Sequence, residues 1–212
     1  MLLAPGCPRC TAPVTQQRGT WSCHDHGPIT PLWRPGDATY DGFGAALQRA
    51  GAFPTYLPWP LSPGWTVSDF GVVAGAEGSR DGARATVTCS SGTSALDGPV
   101  DVFVVAEEAG TGLGARVAGA RYTDPPVADG PPTVRVRIGS QAVPLWDVPT
   151  THGHDEVDRS VVAGEAGGRW LWVVVRPASA LLLLRDDWIL RDVGTAGPML
   201  LEVSFGGAPP VW

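Results

Sequence analysis

The chain has 212 residues, of which 43% are hydrophobic, and a formal net charge of -6 at pH 7. This length fits one domain with a small appendage, and the apolar content is enough for a core, which excludes wholesale disorder. The acidic balance disfavours non-specific binding to nucleic acid. The longest apolar runs, residues 170–175 and 180–184, are too short to cross a bilayer. All 15 basic residues are arginine, so lysine-based Schiff-base chemistry is excluded.

The strongest motif is a set of four metal-ligand side chains in the first 33 residues: Cys7, Cys10, Cys23 and His26. Thiols separated by two residues in a tight turn aim at one point, and the C-x2-H pair completes a tetrahedral Cys3His set for Zn²⁺. The segment has too little apolar material to fold without such a cross-link. Four protein ligands leave no open coordination position, so the pattern predicts a structural zinc ion rather than a catalytic one.

The N-terminal residues do not form a recognisable signal peptide. Only six residues precede Cys7, and they contain neither a basic region nor an apolar stretch. We therefore expect a cytoplasmic protein, in which thiols stay reduced and clustered cysteines serve as metal ligands rather than disulfides.

The zinc-ribbon-like segment at residues 1–33 is followed by a linker at 34–56 with a short helix over 42–50. Residues 57–65 contain three prolines and predict an extended segment. Beyond it, short apolar runs alternate with turn signals, which is typical of strands. Strands are predicted at 66–74, 83–89, 100–106, 134–139, 170–176, 181–184 and 188–192, with a last one at 199–205. Loops are predicted at 75–82, 90–98, 124–132 and 150–158.

The order of these elements indicates the fold class. Residues 170–176 and 181–192 resemble a hairpin closed by 177–179. No amphipathic helices alternate with the strands, which disfavours a doubly wound parallel sheet. The sequence predicts an α+β, mostly β fold: an antiparallel sheet domain with few short helices at 57–212, preceded by the small zinc ribbon.

A second, weaker metal candidate lies in the run His152-Gly153-His154-Asp155-Glu156. His152, His154 and Asp155 could bind a metal with an open coordination position, as hydrolytic sites do. The spacing identifies no further ligand, and a polar surface loop is the favoured interpretation of the run.

Three arginines are candidates for anion binding. Arg116 follows a glycine-rich run that comes directly after a predicted strand, although its spacing matches neither a dinucleotide fingerprint nor a P-loop. A turn that opens a short helix over 114–120 is the simpler interpretation. Arg135 and Arg137 share one face of a strand, as the solvated face of a half-buried strand would.

Neither nucleophile motifs nor the tryptophans identify a reaction. The chain has no G-x-S-x-G elbow, and Cys89 ends an apolar alternation typical of a buried thiol, so no catalytic residue is assigned. The nine tryptophans could fill the core or line a groove for a partner.

Several motifs together resemble an uncharacterised actinobacterial family of similar length. They are CPRC at 7–10, WSCHDHG at 21–27, LPWP at 57–60, AEE at 106–108, GLGAR at 112–116, PLW at 144–146, GEA at 164–166 and WLW at 170–172. Members of that family are often labelled phosphotransacetylase in genomes. Phosphotransacetylases proper are larger α/β enzymes, and nothing here resembles their coenzyme A and acetyl phosphate sites.

These observations favour a zinc-stabilised protein-binding or adaptor protein of unknown pathway. The closed ligand set and the lack of an acid, base and nucleophile constellation support that hypothesis. One alternative is an enzyme for a small anionic acyl or phosphoryl substrate, with a site assembled only in three dimensions. Its groups would be Glu107, Glu108 and the three candidate arginines, with His152 and His154 as further candidates. Another is nucleic-acid contact through the ribbon. We expect a protein partner and no membrane association.

Overall fold

The computed structural model describes residues 3–75, 82–126, 130–150, 158–184, 188–195, 197 and 202–212. The first strands in chain order are β1 (Ala4–Gly6), β2 (Val14–Gln17), β3 (Thr20–Cys23), β4 (Gly27–Ile29), β5 (Leu32–Arg34), β6 (Tyr56–Pro58) and β7 (Thr66–Val73). They are followed by β8 (Ala85–Ser94), β9 (Gly98–Glu107), β10 (Val134–Ile138), β11 (Gln141–Asp147), β12 (Ser160–Ala166), β13 (Arg169–Arg176) and β14 (Ile189–Asp192). Helix α1 spans Tyr40–Ala50 and α2 spans Leu113–Ala118, and 3-10 helices span Ala178–Leu183 and Val193–Thr195.

Eleven of these strands form one large sheet in the order β1-β5-β7-β8-β9-β13-β12-β11-β10-β14-β6. Its neighbours pair antiparallel except for β10 and β14, which run parallel. The fold class predicted from the sequence, a mostly β antiparallel domain with few short helices, is therefore confirmed. Among the described helices, none has the length and apolar character needed to cross a membrane.

The large sheet bends back on itself, so that its edge strand β6 lies against β8. Thr86 Oγ1 donates to the carbonyl of Pro54 and Thr88 Oγ1 donates to that of Tyr56, both at 2.6 Å. An inner core fills the space between the two layers; its aliphatic members include Val102, Val104, Val136, Val143, Leu145, Val162, Leu171, Val173 and Leu190. Burial on both faces explains why β9 and β13 are nearly continuous apolar runs.

The opposite face of the central strands carries an outer core covered by α2. It includes Val87, Cys89, Phe103, Val105, Leu113, Val117, Trp172 and Val174. Helix α1 covers β7, where Phe43 packs edge-on against Phe70 with ring centroids 5.0 Å apart. Thr39 caps this helix, because its Oγ1 accepts a hydrogen bond from the backbone N–H of Gly42 at 3.1 Å.

Strands β2, β3 and β4 form a separate small sheet within residues 7–29, which we call the ribbon. The strands on either side of the ribbon, β1 and β5, pair with each other, and β5 also pairs with β7. Both ends of the ribbon are therefore held by the large sheet.

Most predicted elements are confirmed. The predicted strands at 66–74, 83–89, 100–106, 134–139, 170–176 and 188–192 correspond to β7, β8, β9, β10, β13 and β14, and the predicted helices to α1 and α2. The predicted strand at 199–205 lies partly outside the described residues. In its described part, Phe205 forms an isolated bridge to Val67.

Two predictions were wrong. Residues 181–183 belong to a 3-10 helix that Leu184 caps, and the hairpin with 170–176 does not form, because β13 already pairs along both edges with β9 and β12. Residues 90–98 are not a loop, since β8 and β9 continue as a hairpin through Ser94 and Gly98. The small polar residues there favour a turn by composition, but pairing with a long neighbouring strand outweighs that preference.

A glycine on β12 provides a test of the fold. A Cβ at Gly164 would lie 2.2 Å from the carbonyl oxygen of Pro144 on β11, whereas one at Gly44 in α1 would meet nothing within 4 Å. We expect Gly164→Ala to lower the free energy of unfolding by about 1–3 kcal/mol, because backbone must move. Gly44→Ala should raise it by up to about 1 kcal/mol through helix propensity. Urea unfolding measures both, and an equal effect of the two changes would contradict this packing.

Candidate metal centre

Backbone geometry in the ribbon brings four distant side chains together. Cys7 directly follows β1, and Cys10 follows it by one tight turn. The β2–β3 hairpin then returns the chain, so that Cys23 ends β3 and His26 precedes β4. Gly27 has φ +66°, a left-handed conformation that suits glycine and lets the chain turn sharply after His26.

The four ligand atoms form a compact cluster, and all lie within 4.8 Å of one another. The Nδ1 atom of His26 is 3.6 Å from the Sγ atoms of Cys7 and Cys23 and 3.4 Å from that of Cys10. The Sγ atoms of Cys10 and Cys23 are 3.5 Å apart. Ligands on a tetrahedral Zn²⁺ with Zn–S bonds of about 2.3 Å would be separated by about 3.6–3.8 Å. The cluster therefore has the size and donor types of a site that could hold a metal ion.

The thiols of the cluster differ in acidity. Burial acts to raise the pKa of Cys23, but hydrogen bonds from His26 and from the backbone N–H of Asp25 outweigh it and lower that pKa to about 6. Burial, followed by hydrogen bonds with Cys23 and Cys7, raises the pKa of Cys10 to about 12. One thiolate is thus favoured at neutral pH before a cation binds, and coordination deprotonates the other thiols.

Two arginines, one in the ribbon and one on α2, connect the ribbon to the rest of the chain by hydrogen bonds. Arg9, between the first two cysteines, donates from Nη2 to the carbonyl of Gly110 at 2.7 Å and from Nε to that of Thr111 at 3.2 Å. In return, Nη1 of Arg116 on α2 donates to the carbonyl of Cys7. These contacts join the metal-ligand loop to the glycine-rich run before α2.

That glycine-rich run is held by a buried carboxylate. Oε2 of Glu107, at the end of β9, accepts a hydrogen bond from the backbone N–H of Leu113 at 2.8 Å. Gly112 precedes α2 without a side chain that could cap it, so Glu107 does so from the neighbouring strand. The side chain of Glu107 is fully buried, and burial raises its pKa to about 7 although the N–H groups of Gly114 and Leu113 act to lower it.

A comparison with known families identifies a relationship along nearly the whole chain. The sequence profile of the Family of unknown function (DUF6758) matches residues 1–211. The chain belongs to this family. None of the curated proteins and none of the solved structures matches it. The actinobacterial origin suggested by the resemblance stays a prediction.

In this DUF6758 member, the three arginines predicted to bind an anion are not brought together. Arg116 lies on α2 at the outer core. Arg135 and Arg137 are exposed on β10, whose buried residue Val136 points into the inner core. Two layers of sheet therefore lie between Arg116 and the other two. The candidate second metal ligands His152, His154 and Asp155 lie outside the described residues.

The two glutamates considered for the enzyme alternative lie in different environments and have different partners. Glu107 caps α2 from inside the protein, whereas Glu108 is exposed and pairs with Arg84 at 3.1 Å. His24, next to a ligand cysteine, is exposed and is not part of the cluster.

The tryptophans of this family member mainly contribute to packing. Trp172 is fully buried and Trp33 is 8% exposed, and the others are partly buried. Trp21 of the ribbon packs edge-on against Trp33 of β5, with ring centroids 5.7 Å apart. Trp65, in the proline-rich segment, lies so close to Gly92 that a Cβ there would be 2.4 Å from the indole.

Sequence reasoning missed a second cluster of charged and aromatic residues, on the outer face of β7. The carboxylate of Asp69 is 2% exposed and pairs with Arg34 through Oδ2 at 2.6 Å. It also accepts a hydrogen bond from Nε1 of Trp212 at 2.7 Å. These residues lie 35 and 143 positions from Asp69, so no local pattern could have linked them.

Proposed function

We propose that the protein is a zinc-stabilised protein-binding module, in which the Cys3His cluster holds a structural Zn²⁺ ion. The observation that carries the proposal is the closed set of three thiols and one imidazole at tetrahedral spacing. Thiolate and imidazole donors suit Zn²⁺, and four protein ligands leave no position for a substrate. A structural zinc site stabilises the part of the fold around it. In this proposal, the protein-binding surface is the part of the ribbon that the zinc ion keeps folded.

Elemental analysis of the full chain, purified without a histidine tag, should give one zinc ion per chain. Two ions per chain would instead support a further site such as His152 and His154. The described cysteines are all free thiols, which fits a reducing compartment and supports a cytoplasmic location.

The surface supported by the zinc ion is the tip of the β2–β3 hairpin. Residues 15–20 are all exposed, and none of them packs in a core cluster. Arg18 at this tip has φ +50°, and it is the single non-glycine residue with a positive φ in the described part of the chain. A left-handed arginine costs about 1–2 kcal/mol relative to an ordinary conformation. An exposed arginine kept in that conformation fits a contact with an acidic group on a partner protein.

The charges of the ribbon also favour a protein partner over nucleic acid. Arg9 donates to backbone carbonyls of the glycine-rich run, and Arg34 pairs with Asp69. Arg18 remains the one outward-facing arginine of this region, too little for an electrostatic nucleic-acid footprint.

Arg18→Gly tests the binding proposal, because it should leave the fold intact and weaken the partner contact. Glycine adopts positive φ freely, so we expect an unfolding midpoint equal to or above that of the native chain. Affinity purification from a lysate of the source organism, followed by cross-linking, should retain a partner with the native chain and lose it with Arg18→Gly.

The neighbouring change Gln17→Ala is the matched control and should retain the partner, because it alters an exposed side chain of the same hairpin without removing charge. A partner set that is the same for all three chains would contradict a role for the hairpin tip. Retention of nucleic acid in a nuclease-sensitive fraction would favour the alternative function instead.

A further inference from the structure

The outer face of the large sheet carries a pocket that is filled by the chain's own residues 202–212, which we call the strap. The indole of Trp212 lies against Phe103 of β9, with ring centroids 6.5 Å apart, and donates from Nε1 to Asp69 of β7. Two guanidinium groups stack on it: the Cζ atom of Arg34 is 4.3 Å and that of Arg116 is 4.7 Å from the ring centroid. The pocket thus holds a flat ring with an N–H donor in contact with two guanidinium groups.

A third arginine, Arg176 on β13, completes this pocket. It is 7% exposed, stacks on Phe103 at 5.0 Å and donates from Nη1 to the carbonyl of Val211 in the strap at 2.7 Å. Asp101 on β9 lies opposite Arg176 in the strand pairing. Its carboxylate accepts a hydrogen bond from the hydroxyl of Ser91 rather than from Arg176.

Two of these arginines lack a counter-ion. Within the described residues, no carboxylate lies within ion-pair distance of Arg116 or Arg176, and the Nε atom of each is buried without a hydrogen-bond partner. Burial and then the charge of Arg34 lower the pKa of Arg116, which the ribbon thiols and Asp69 offset only in part. Buried charges in proteins are normally paired, so the pocket has a deficit of negative charge.

The strap itself has the features of a displaceable segment. Its backbone is tied to β7 through Val67, whose N–H donates to Ser204 at 2.8 Å and whose carbonyl accepts from Gly206 at 3.1 Å. Beyond Gly206, most of the strap is exposed, and only Trp212 reaches into the outer core. Three side chains also donate to its carbonyls: Thr66 to Gly206 at 2.9 Å, Arg34 to Pro210 at 3.1 Å and Arg176 to Val211 at 2.7 Å. A largely exposed segment that is held by a few side-chain hydrogen bonds can open locally while the sheet stays folded.

We propose that this pocket binds a small aromatic anion, a planar heteroaromatic ring that carries a carboxylate or a phosphate, and that the ligand displaces the strap. Its ring replaces the indole in contact with Arg34 and Arg116, and its oxyanion accepts hydrogen bonds from Arg116 and Arg176. Because the ligand ring takes the position that the indole occupies beside Arg34 and Arg116, the ligand and Trp212 must exclude each other. The proposal is independent of the hairpin contact described above.

Calorimetric titration of the full chain tests this proposal with three probes: AMP for phosphate, indole-3-acetate for carboxylate, and neutral indole. We expect Trp212→Ala to bind at least one anionic probe about tenfold more tightly than the native chain, because the strap no longer competes. Adding Arg176→Gln to that variant should weaken binding about tenfold or more, through the loss of a charged hydrogen bond. The tighter of AMP and indole-3-acetate identifies the oxyanion.

Several outcomes would overturn the proposal. Neutral indole binding as tightly as the anions, with no effect of Arg176→Gln, would show a simple cavity left by the missing side chain. Absence of binding by either anion at millimolar concentration would remove the site altogether.

A second measurement on the native chain does not depend on the folding of a variant. Hydrogen exchange at the amide of Gly206 and along the strap should become faster at saturating concentrations of the bound anion, because the strap is released. Unchanged or slower exchange would contradict displacement. Trp212→Phe, which keeps a ring but loses the hydrogen bond to Asp69, should give an intermediate affinity.

Discussion

Replacing Cys10 with serine should abolish zinc binding and unfold the ribbon while the large sheet stays folded. A serine hydroxyl is a poor ligand for Zn²⁺, so the closed set would lose one of its three thiolates. In zinc-finger peptides the metal contributes about 10–16 kcal/mol of apparent folding free energy, and small metal-binding segments unfold without it. The ribbon has only Trp21 packed against a hydrophobic core cluster, so other contacts cannot replace the metal.

The expected effect can be localised by hydrogen exchange. Backbone amides of β2, β3 and β4 should lose protection in Cys10→Ser, whereas those of β8, β9 and β13 should keep it, because the inner and outer cores contain no ribbon residue. A moderate fall in the thermal midpoint is expected as well, since the bonds from Arg9 to Gly110 and Thr111 would be lost.

The two histidines of the ribbon provide the matched controls. His26→Ala should behave like Cys10→Ser, because it removes a ligand. His24→Ala should retain one zinc ion per chain, because the exposed side chain of His24 lies outside the cluster. Zinc loss in His24→Ala, or its retention in His26→Ala, would contradict the ligand assignment.

Sequence patterns predicted the features that depend on residues close together in the chain. The C-x2-C and C-x2-H spacings place each ligand pair in one turn, and hairpin pairing then brings the two turns together. Alternation in β10 correctly indicated that Arg135 and Arg137 face away from the buried residue Val136. Helix α1 followed from apolar residues at helical spacing.

Elements that depend on partners distant in sequence could not be predicted in the same way. Strands β11 and β12 contain Pro144 and Gly164, which weaken the strand pattern, yet Gly164 is required there by the close approach of the Pro144 carbonyl. The strap pocket combines Arg34, Asp69 and Trp212, which no spacing rule connects.

In the sequence, Glu107 follows an apolar strand, precedes a glycine-rich run and is a candidate for the enzyme alternative. In the structure it is fully buried, because α2 folds over the end of β9 and needs an acceptor for its first N–H groups. A residue considered for catalysis is thus a helix cap, and its burial has a measurable consequence.

Glu107 should make the free energy of unfolding fall as the pH rises from about 4.5 to about 7. Burial raises its pKa from 4.5 to about 7 in the folded chain, so the folded state keeps a proton that the unfolded chain releases. The stabilisation is complete below the unfolded pKa and is lost as the pH rises through the folded pKa. The difference corresponds to about 3 kcal/mol, at about 1.4 kcal/mol per pH unit.

Comparison of urea unfolding for the native chain and Glu107→Gln across this range isolates the effect. The glutamine carbonyl can still accept the hydrogen bond from Leu113 but does not ionise, so Glu107→Gln should be less stable or equal at pH 4.5 and more stable above pH 7. Glu108→Gln is the control, because Glu108 is exposed and pairs only with Arg84 at the surface. Parallel pH profiles for the native chain and Glu107→Gln would mean that the carboxylate is solvated when α2 is folded. The hydrogen bond from Leu113 to Glu107 would then have to break at neutral pH. That loss would release the glycine-rich run, whose carbonyls accept the hydrogen bonds from Arg9 of the ribbon.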